Sequence, residues 1–354
     1  AHVTRAFRRK SDNSKPRDVF ASIVEVTIQI SKQVASTPRL YESCSRVLAR
    51  ALDLLPSTEL VKSAELLLAK TDAQVQIAAI KSVQVRATSV VQNDRPSVQA
   101  LVSFMPSVEN VLQQSKSLDA KIISVSCIDS IVERFGKKDA SAVASVAQTI
   151  AGPQSLSHSD DRVRVLSLLC LTSIVDVLED EFISLLPSVL PVAFDYLSKA
   201  IDEENVGLHN AVYTLISDIV ERLGYMFSRE YLDTALRLSH KSAAADLEDA
   251  CDESRRGFYQ SVSEHLGAQE VFAAIQSTWP HAVSQGFDAS LEHLELLRAT
   301  IDVQTKAKLI KSSSTLFNLI LSSFNLRTAI ESEKKAEYDD EEVEQLENTL
   351  VESV

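Results

Sequence analysis

Glycine is scarce in this chain, with 7 among 354 residues, where ordinary usage is about 7%. No Asn-Gly or Asp-Gly pair separates alternating apolar runs, so the pattern argues against a sheet protein. Catalytic signatures are missing as well: there is no G-x-S-x-G elbow, Walker loop, dinucleotide fingerprint, H-E-x-x-H pair or calcium loop. The 4 cysteines, Cys44, Cys127, Cys170 and Cys251, are far apart and lie within helical patterns. None of their spacings suits zinc or a redox pair, so they read as small core residues in a reducing compartment. No apolar run reaches the roughly 18 residues of a membrane span, and no signal peptide is visible. The 7 histidines are isolated from one another along the sequence. His209 reads as a packing or capping residue, and His158 is placed to pair with Asp160 and Asp161 in a turn. No catalytic residue, cofactor or metal is expected.

What is present is apolar content of 45%, sufficient for a packed interior, and a net charge of -13. Such a charge disfavours general polyanion binding, because phosphate contacts need clustered Lys and Arg. The charge is uneven. Residues 1–18 form a basic arm carrying Arg5, Arg8, Arg9 and Lys10, while residues 331–342 read as an acidic, mobile loop. Residue 1 is not Met, and residues 343–354 read as the start of a further helix. The chain is therefore expected to be part of a longer one.

Between arm and loop, residues 19–330 carry a repeating helical signal. In the run from Ile183 to Gly224, Ile183, Leu186, Leu190, Phe194 and Leu197 share one helical face, as do Leu208, Val212, Leu215, Ile216, Ile219 and Leu223. Pro187 and Pro191 predict an irregular start to the first of these helices. Gly224 predicts a left-handed terminator for the second. Neither helix can bury its stripe alone, and the sequence supplies copies. Ser130-Ile131-Val132-Glu133-Arg134-Phe135-Gly136 parallels Asp218-Ile219-Val220-Glu221-Arg222-Leu223-Gly224, with weaker echoes at Ser173 to Leu178 and Val262 to Gly267. Acidic openings recur at Asp72, Asp119, Asp160-Asp161, Asp202-Glu203 and Asp246 to Asp249. The period of roughly 41 to 47 residues falls in the HEAT and armadillo range. The expected fold is all-α, a HEAT/armadillo-like superhelical solenoid of antiparallel helix pairs. Within it, the helix from Ala268 is expected to break at Trp279-Pro280, and Lys306 to Phe324 to form one helix.

Solenoids work through extended surfaces, so the basic residues on the second helices are the candidate contacts: Arg134, Lys137, Lys138, Arg162, Arg164, Arg255 and Arg256, together with the arm. Two readings stand for each. One is capping of helix ends or bridging to acidic neighbours between repeats; the other is contact with phosphates or an acidic partner. The equivalent positions of Arg134 and Arg222, each beside a glutamate, favour bridging for those two.

Four stretches carry a family resemblance: Ala120-Lys121-Ile122-Ile123-Ser124-Val125-Ser126-Cys127-Ile128-Asp129 through Asp139; Asp161-Arg162-Val163-Arg164-Val165-Leu166 through Leu171; Leu186-Pro187 to Leu197; and Leu208-His209-Asn210-Ala211-Val212 onward to Asp233. Together they resemble the C-terminal region of the large HEAT-repeat subunit of the small-subunit processome, the U-three small nucleolar RNA-associated protein ten family. The likeness covers most of residues 40–330 and is strongest over 118–240. It implies a nucleolar, non-catalytic scaffold of the UtpA subcomplex. Its implied partners are other processome proteins and pre-rRNA or snoRNP, contacted directly or through them; no membrane or small-molecule substrate is implied. The residues alone leave open a HEAT adaptor of another class, such as a nuclear transport receptor or a phosphatase scaffold.

Overall fold

A computed structural model describes residues 26–353 except 28, 31–32, 35, 53–54, 70–71, 246, 324 and 333–336. The arm at residues 1–18 lies outside the described residues. Every regular element among the described residues is helical, and none forms a strand. The chain divides into two compact units, residues 1–177 and 178–354.

The first unit contains α1 (Pro38–Leu52), α2 (Ser57–Leu68), α3 (Ala73–Ser89), α4 (Arg95–Gln114), α5 (Leu118–Phe135), α6 (Ala140–Ile150) and α7 (Asp161–Leu178), the last ending at the boundary. α2 pairs with α3 and α4 with α5, while α2, α4 and α6 pack side by side and α3 packs on α5. This is the two-layer stacking of a HEAT-like solenoid. The second unit repeats it with α8 (Leu186–Asp202), α9 (Val206–Leu223), α10 (Arg229–Ala243), α11 (Asp249–His265), α12 (Ala268–Gln285) and α13 (Phe287–Val303). Here α8, α10 and α12 form one layer, and α9, α11 and α13 the other. Short α14 (Lys306–Lys311), α15 (Ser313–Ser323), α16 (Leu326–Ser332) and α17 (Asp340–Glu352) complete it. The helix expected from Val343 thus opens at Asp340, where Asp339 and Glu342 form a reciprocal capping box, and the single helix expected over Lys306 to Phe324 is two.

Caps explain where the helices begin. Side chains of Asp72, Asp94, Ser117, Asp139, Asn205 and Ser228 each accept a hydrogen bond from a first-turn amide. Each such cap contributes about 1 kcal/mol. At α9 the capping group is Asn205 rather than the carboxylates before it. Glu204 instead takes a left-handed φ of 54° to turn the chain.

Prolines behave differently from the expectation at Trp279-Pro280. α12 runs straight through Pro280, as α4 does through Pro106 and α8 through Pro191. All three prolines are exposed. The carbonyl four residues earlier, which loses its amide partner, can therefore be solvated instead of stranded. The irregular start expected before α8 is present as a 3-10 segment, Glu179–Leu185.

Gly224 does not terminate α9 in a left-handed conformation: its φ is -52° and its ψ -35°. A Cβ there would stand 3.0 Å from Leu266 Cδ2 and 3.1 Å from the His265 carbonyl oxygen. At Gly136, with φ -54°, a Cβ would lie 2.7 Å from Val177 Cγ2. The repeated glycine is thus kept by close helix approach, and each opens a short 3-10 turn. Left-handed geometry is used instead by Gly286, at φ 117° between α12 and α13.

Candidate functional site

The repeat period reappears as hydrogen bonds. Gln84 Nε2 on α3 donates to Ser126 Oγ at 2.7 Å and Ser130 Oγ at 3.2 Å on α5, 42 and 46 residues on. Ser173 donates to Asp129 at 2.8 Å across 44 residues. In the second unit Lys241 reaches Asp202 at 2.6 Å across 39 residues, and Ser261 reaches Glu221 at 2.9 Å across 40. Polar side chains at one-repeat spacing fix the register between neighbouring helix pairs.

Several candidate cations belong to this internal wiring. Arg134 Nη2 donates to the Val90 carbonyl at 2.9 Å, 44 residues back. Lys137 pairs with Asp176 at 2.7 Å. Arg164 pairs with Asp161 at 2.6 Å and also donates to the His158 carbonyl. Arg162 folds back on Asp160 at 3.1 Å but stays exposed. Asp160 has its carboxyl held below the usual range by the Arg162 hydrogen bond. His158 does not pair with the carboxylates; its Nδ1 accepts from the Asp160 amide at 3.0 Å. Arg256 is exposed, 3.7 Å from Glu292, and Lys138 is exposed on the turn before α6. Arg5, Arg8, Arg9 and Lys10 lie outside the described residues.

Arg255 stands apart, at 2% exposure. Its Nε and Nη2 make a bidentate pair with Glu292 at 2.6 and 2.7 Å. Nη2 also reaches Asp252 at 2.8 Å, and Nη1 reaches Ser242 at 2.9 Å. Ser242 in turn meets His209 Nε2 at 2.8 Å. Burial works against the charge of Arg255, but the hydrogen bonds and charge of Glu292 outweigh it and raise its pKa. This guanidinium is committed inside α11 and α13 and offers nothing to a surface partner.

The histidines are not isolated in space, contrary to their spacing in sequence. His240 Nε2 lies 2.8 Å from His293 Nδ1, and His240 Nδ1 lies 3.2 Å from His281 Nδ1. His293 Nε2 faces the Ile275 carbonyl at 2.9 Å, so that nitrogen carries the proton. It follows that His240 donates through Nε2 to His293 and accepts at Nδ1 from His281: one tautomer at each ring. Trp279, buried within α12 rather than at a helix break, stacks on His293. Burial pushes the His293 pKa down to about 4. His240 is held well below the ordinary histidine value by burial first, then by His293 and His281.

Chemically, these groups are structural. Burial raises the Cys127 thiol to about 12 and Cys170 well above its ordinary value, so neither is a nucleophile at neutral pH. Among the described residues no group of three or more His, Cys, Asp or Glu is placed to hold a metal ion. The Arg255–Glu292 pair and the histidine chain were not foreseen. Their signal in the sequence is polar residues separated by 37 and 41 residues, close to one repeat.

No family model matches the chain. It is 71% identical over 351 residues to U3 small nucleolar RNA-associated protein 10 of Phaeosphaeria nodorum, covering 99% of this chain and 20% of that protein. The protein of the same name from Pyricularia oryzae is 35% identical over 328 residues, covering 92% of this chain and 18% of that one. The chain thus spans about a fifth of the length of these relatives. Among solved structures, importin beta aligns with a TM-score of 0.55 at 14% identity, covering 99% of this chain and 44% of that one. That likeness shows the fold alone.

Proposed function

The chain belongs to the U3 small nucleolar RNA-associated protein 10 family, and on that premise we infer that it is a non-catalytic HEAT-repeat scaffold segment in ribosome biogenesis. The carrying observation is 71% identity along 99% of the chain. Its partners in this reading are other proteins of the small-subunit processome, with pre-rRNA or snoRNP contacted directly or through them. Its compartment is the nucleolus.

The interior supports a scaffold rather than an enzyme. Polar side chains such as Gln84 and Ser173 link neighbouring repeats, and Cys127, Cys170 and Cys251 are buried with their thiols held protonated by that burial. Surface cations such as Arg162, Arg256 and Lys138 remain candidate contacts, as does the arm with Arg5, Arg8, Arg9 and Lys10. Against a net charge of -13, protein surfaces are the main expected ligands, and any RNA binding is weak and steeply salt-dependent.

Affinity purification of the full-length protein carrying this segment tests the reading. Processome subunits and U3 small nucleolar RNA should co-purify. Enrichment of transport cargo or a phosphatase without them would instead favour an adaptor of another class. Replacing Arg5, Arg8 and Arg9 by alanine should abolish the weak RNA binding; unchanged binding would remove the arm from the interface.

A further inference from the structure

Two helices of the second unit present opposite kinds of outer face. α15 packs on α12, as α12 packs on α10 and α10 on α8, while α17 packs on α13 in the other layer. α17 buries Val343, Leu346 and Leu350. Its opposite side carries Glu341, Gln345, Asn348 and Glu352, all exposed. α15 buries Leu319 and Ser323. Its opposite side carries Phe317 and Leu321, 61% and 50% exposed, and their four-residue spacing sets one above the other on a single face. Ile310, on α14 just before, is exposed as well. A helix that ends a stack needs a polar outer face to stay in water. α17 has one and α15 does not.

The rest of the unit hides its apolar groups. From α8 to α13 the one large apolar side chain exposed on a helix is Val303, the last residue of α13; Tyr225 and Met226 are exposed on the turn after α9. Single exposed apolar residues are ordinary, but Phe317 and Leu321 occupy the middle of a face. α10 and α12, in the same layer, are each covered on both sides. α15 has the residue pattern of such an interior helix, with one of its two neighbours outside the 354 residues. The layer itself says what that neighbour is: every helix already in it is covered by another helix of the same polypeptide. The Phaeosphaeria relative is matched over 20% of its length, so most of such a protein lies beyond the match.

We propose that the outer face of α15 is covered by a further helix of the same polypeptide, from outside residues 1–354, with apolar side chains seated on Phe317 and Leu321, whereas the outer face of α17 stays in water. The stack is thereby extended through one layer and capped in the other. This contact is internal to the protein and does not depend on which partners the scaffold holds.

The test is photo-crosslinking in the full-length protein. Phe317→p-benzoylphenylalanine should crosslink, on irradiation, to a peptide of the same polypeptide outside residues 1–354, with no gain in mass on a denaturing gel. Asn348→p-benzoylphenylalanine should give no such product. A crosslink from position 317 to a second copy or to another protein overturns the proposal, as does no crosslink at all or equal crosslinking from both positions. Hydrogen exchange gives an independent readout. Phe317→Gln with Leu321→Gln removes the apolar face without lowering helix propensity, so exchange in α15 should accelerate by roughly tenfold or more while α17 is unchanged. Unchanged exchange in α15 would mean that the face is bare. Co-purification of processome subunits is a separate measurement, so failure here and failure of the scaffold reading are told apart.

Discussion

The interiors of the two units are built on different terms. In the first, α4, α5 and α6 meet through Leu101, Phe104, Met105, Ile128, Phe135, Val146 and Ile150, all fully or almost fully buried. The polar groups among them are mostly hydroxyls bonded within their own helix, such as Ser124 to the Ala120 carbonyl. The one buried cation among the described residues of this unit, Lys121, has neutral acceptors, the Leu112 carbonyl at 2.9 Å and Gln154 at 2.6 Å, and burial lowers its pKa. In the second unit, the core among α9, α10, α11, α12 and α13 contains an ion pair, a histidine chain and two buried tyrosines, Tyr213 and Tyr259. Apolar contact is non-directional and survives small shifts, whereas a desolvated charge pair is stable only while both members keep their geometry. The same repeat therefore supports one unit held mainly by apolar contact and one whose core also depends on buried charge and protonation.

The largest expected effect breaks the ion pair. Glu292→Leu leaves Arg255 charged at 2% exposure with only Asp252 and Ser242 as partners, and should cost about 3–5 kcal/mol. Arg255→Met with Glu292→Leu removes both charges and should recover most of that loss. Trp279, the only tryptophan, lies in the second unit and stacks on His293. Its fluorescence in a urea titration follows this unit alone. A cost below about 1 kcal/mol for Glu292→Leu would mean that the pair is solvated and the contrast between the units is overstated.

Acid comes next. His293, fully buried, has its pKa lowered from 6.5 to about 4. Such a group contributes its full share of stability above pH 6.5, and that share is lost as pH falls from 6.5 toward 4, because the unfolded chain takes up the proton first. The loss from this ring alone is roughly 3 kcal/mol, and His240, shifted in the same direction, adds to it. Among described residues the first unit holds a single histidine, His158. Its half-buried carboxyl Asp129 is raised by desolvation and acts with the opposite sign, favouring the fold as pH falls. Hydrogen exchange resolved by segment between pH 7 and 5 should show protection falling in α10, α12 and α13 before α4 and α5. His293→Phe should flatten the profile while lowering stability at neutral pH. Parallel loss in both units would show that carboxylates, not these rings, govern acid sensitivity.

This contrast was only half legible in the sequence. Apolar stripes and the recurring Glu-Arg-Phe-Gly and Glu-Arg-Leu-Gly endings announce the repeat, because three- and four-residue spacing is local information. The pairing of Arg255 with Glu292, or of His240 with His281, depends on which turn of one helix faces which turn of the next. A polar residue on a helix reads the same whether it faces solvent or a partner one repeat away. Pro280 departs from the expected break for a related reason: its cost depends on which face it occupies, and the helix-interior prolines Pro106, Pro191 and Pro280 all lie on the exposed one. Of the candidate contacts, Lys138 and Arg256 are exposed, whereas Arg255 is internal. Charge alone does not distinguish them.

The smallest effect compares one motif across the two units. Gly136 and Gly224 close equivalent helices with backbone angles that alanine adopts freely, so a conformational role would predict a gain of about 0.4–1 kcal/mol on Gly→Ala. Packing predicts the opposite sign. At Gly136 the added methyl lies 2.7 Å from Val177 Cγ2 and 3.3 Å from Val143 Cγ2. Both neighbours are β-branched and stiff at χ1, so Gly136→Ala should cost about 1–3 kcal/mol. At Gly224 the side-chain neighbour is Leu266 Cδ2 at 3.0 Å, the far end of a more flexible chain. The His265 carbonyl at 3.1 Å then sets the limit, and the cost should be nearer 1 kcal/mol. Val177→Ala combined with Gly136→Ala should restore part of the loss, because it removes the methyl that clashes. If both glycines tolerate alanine equally, close approach is not what keeps them at the ends of these helices.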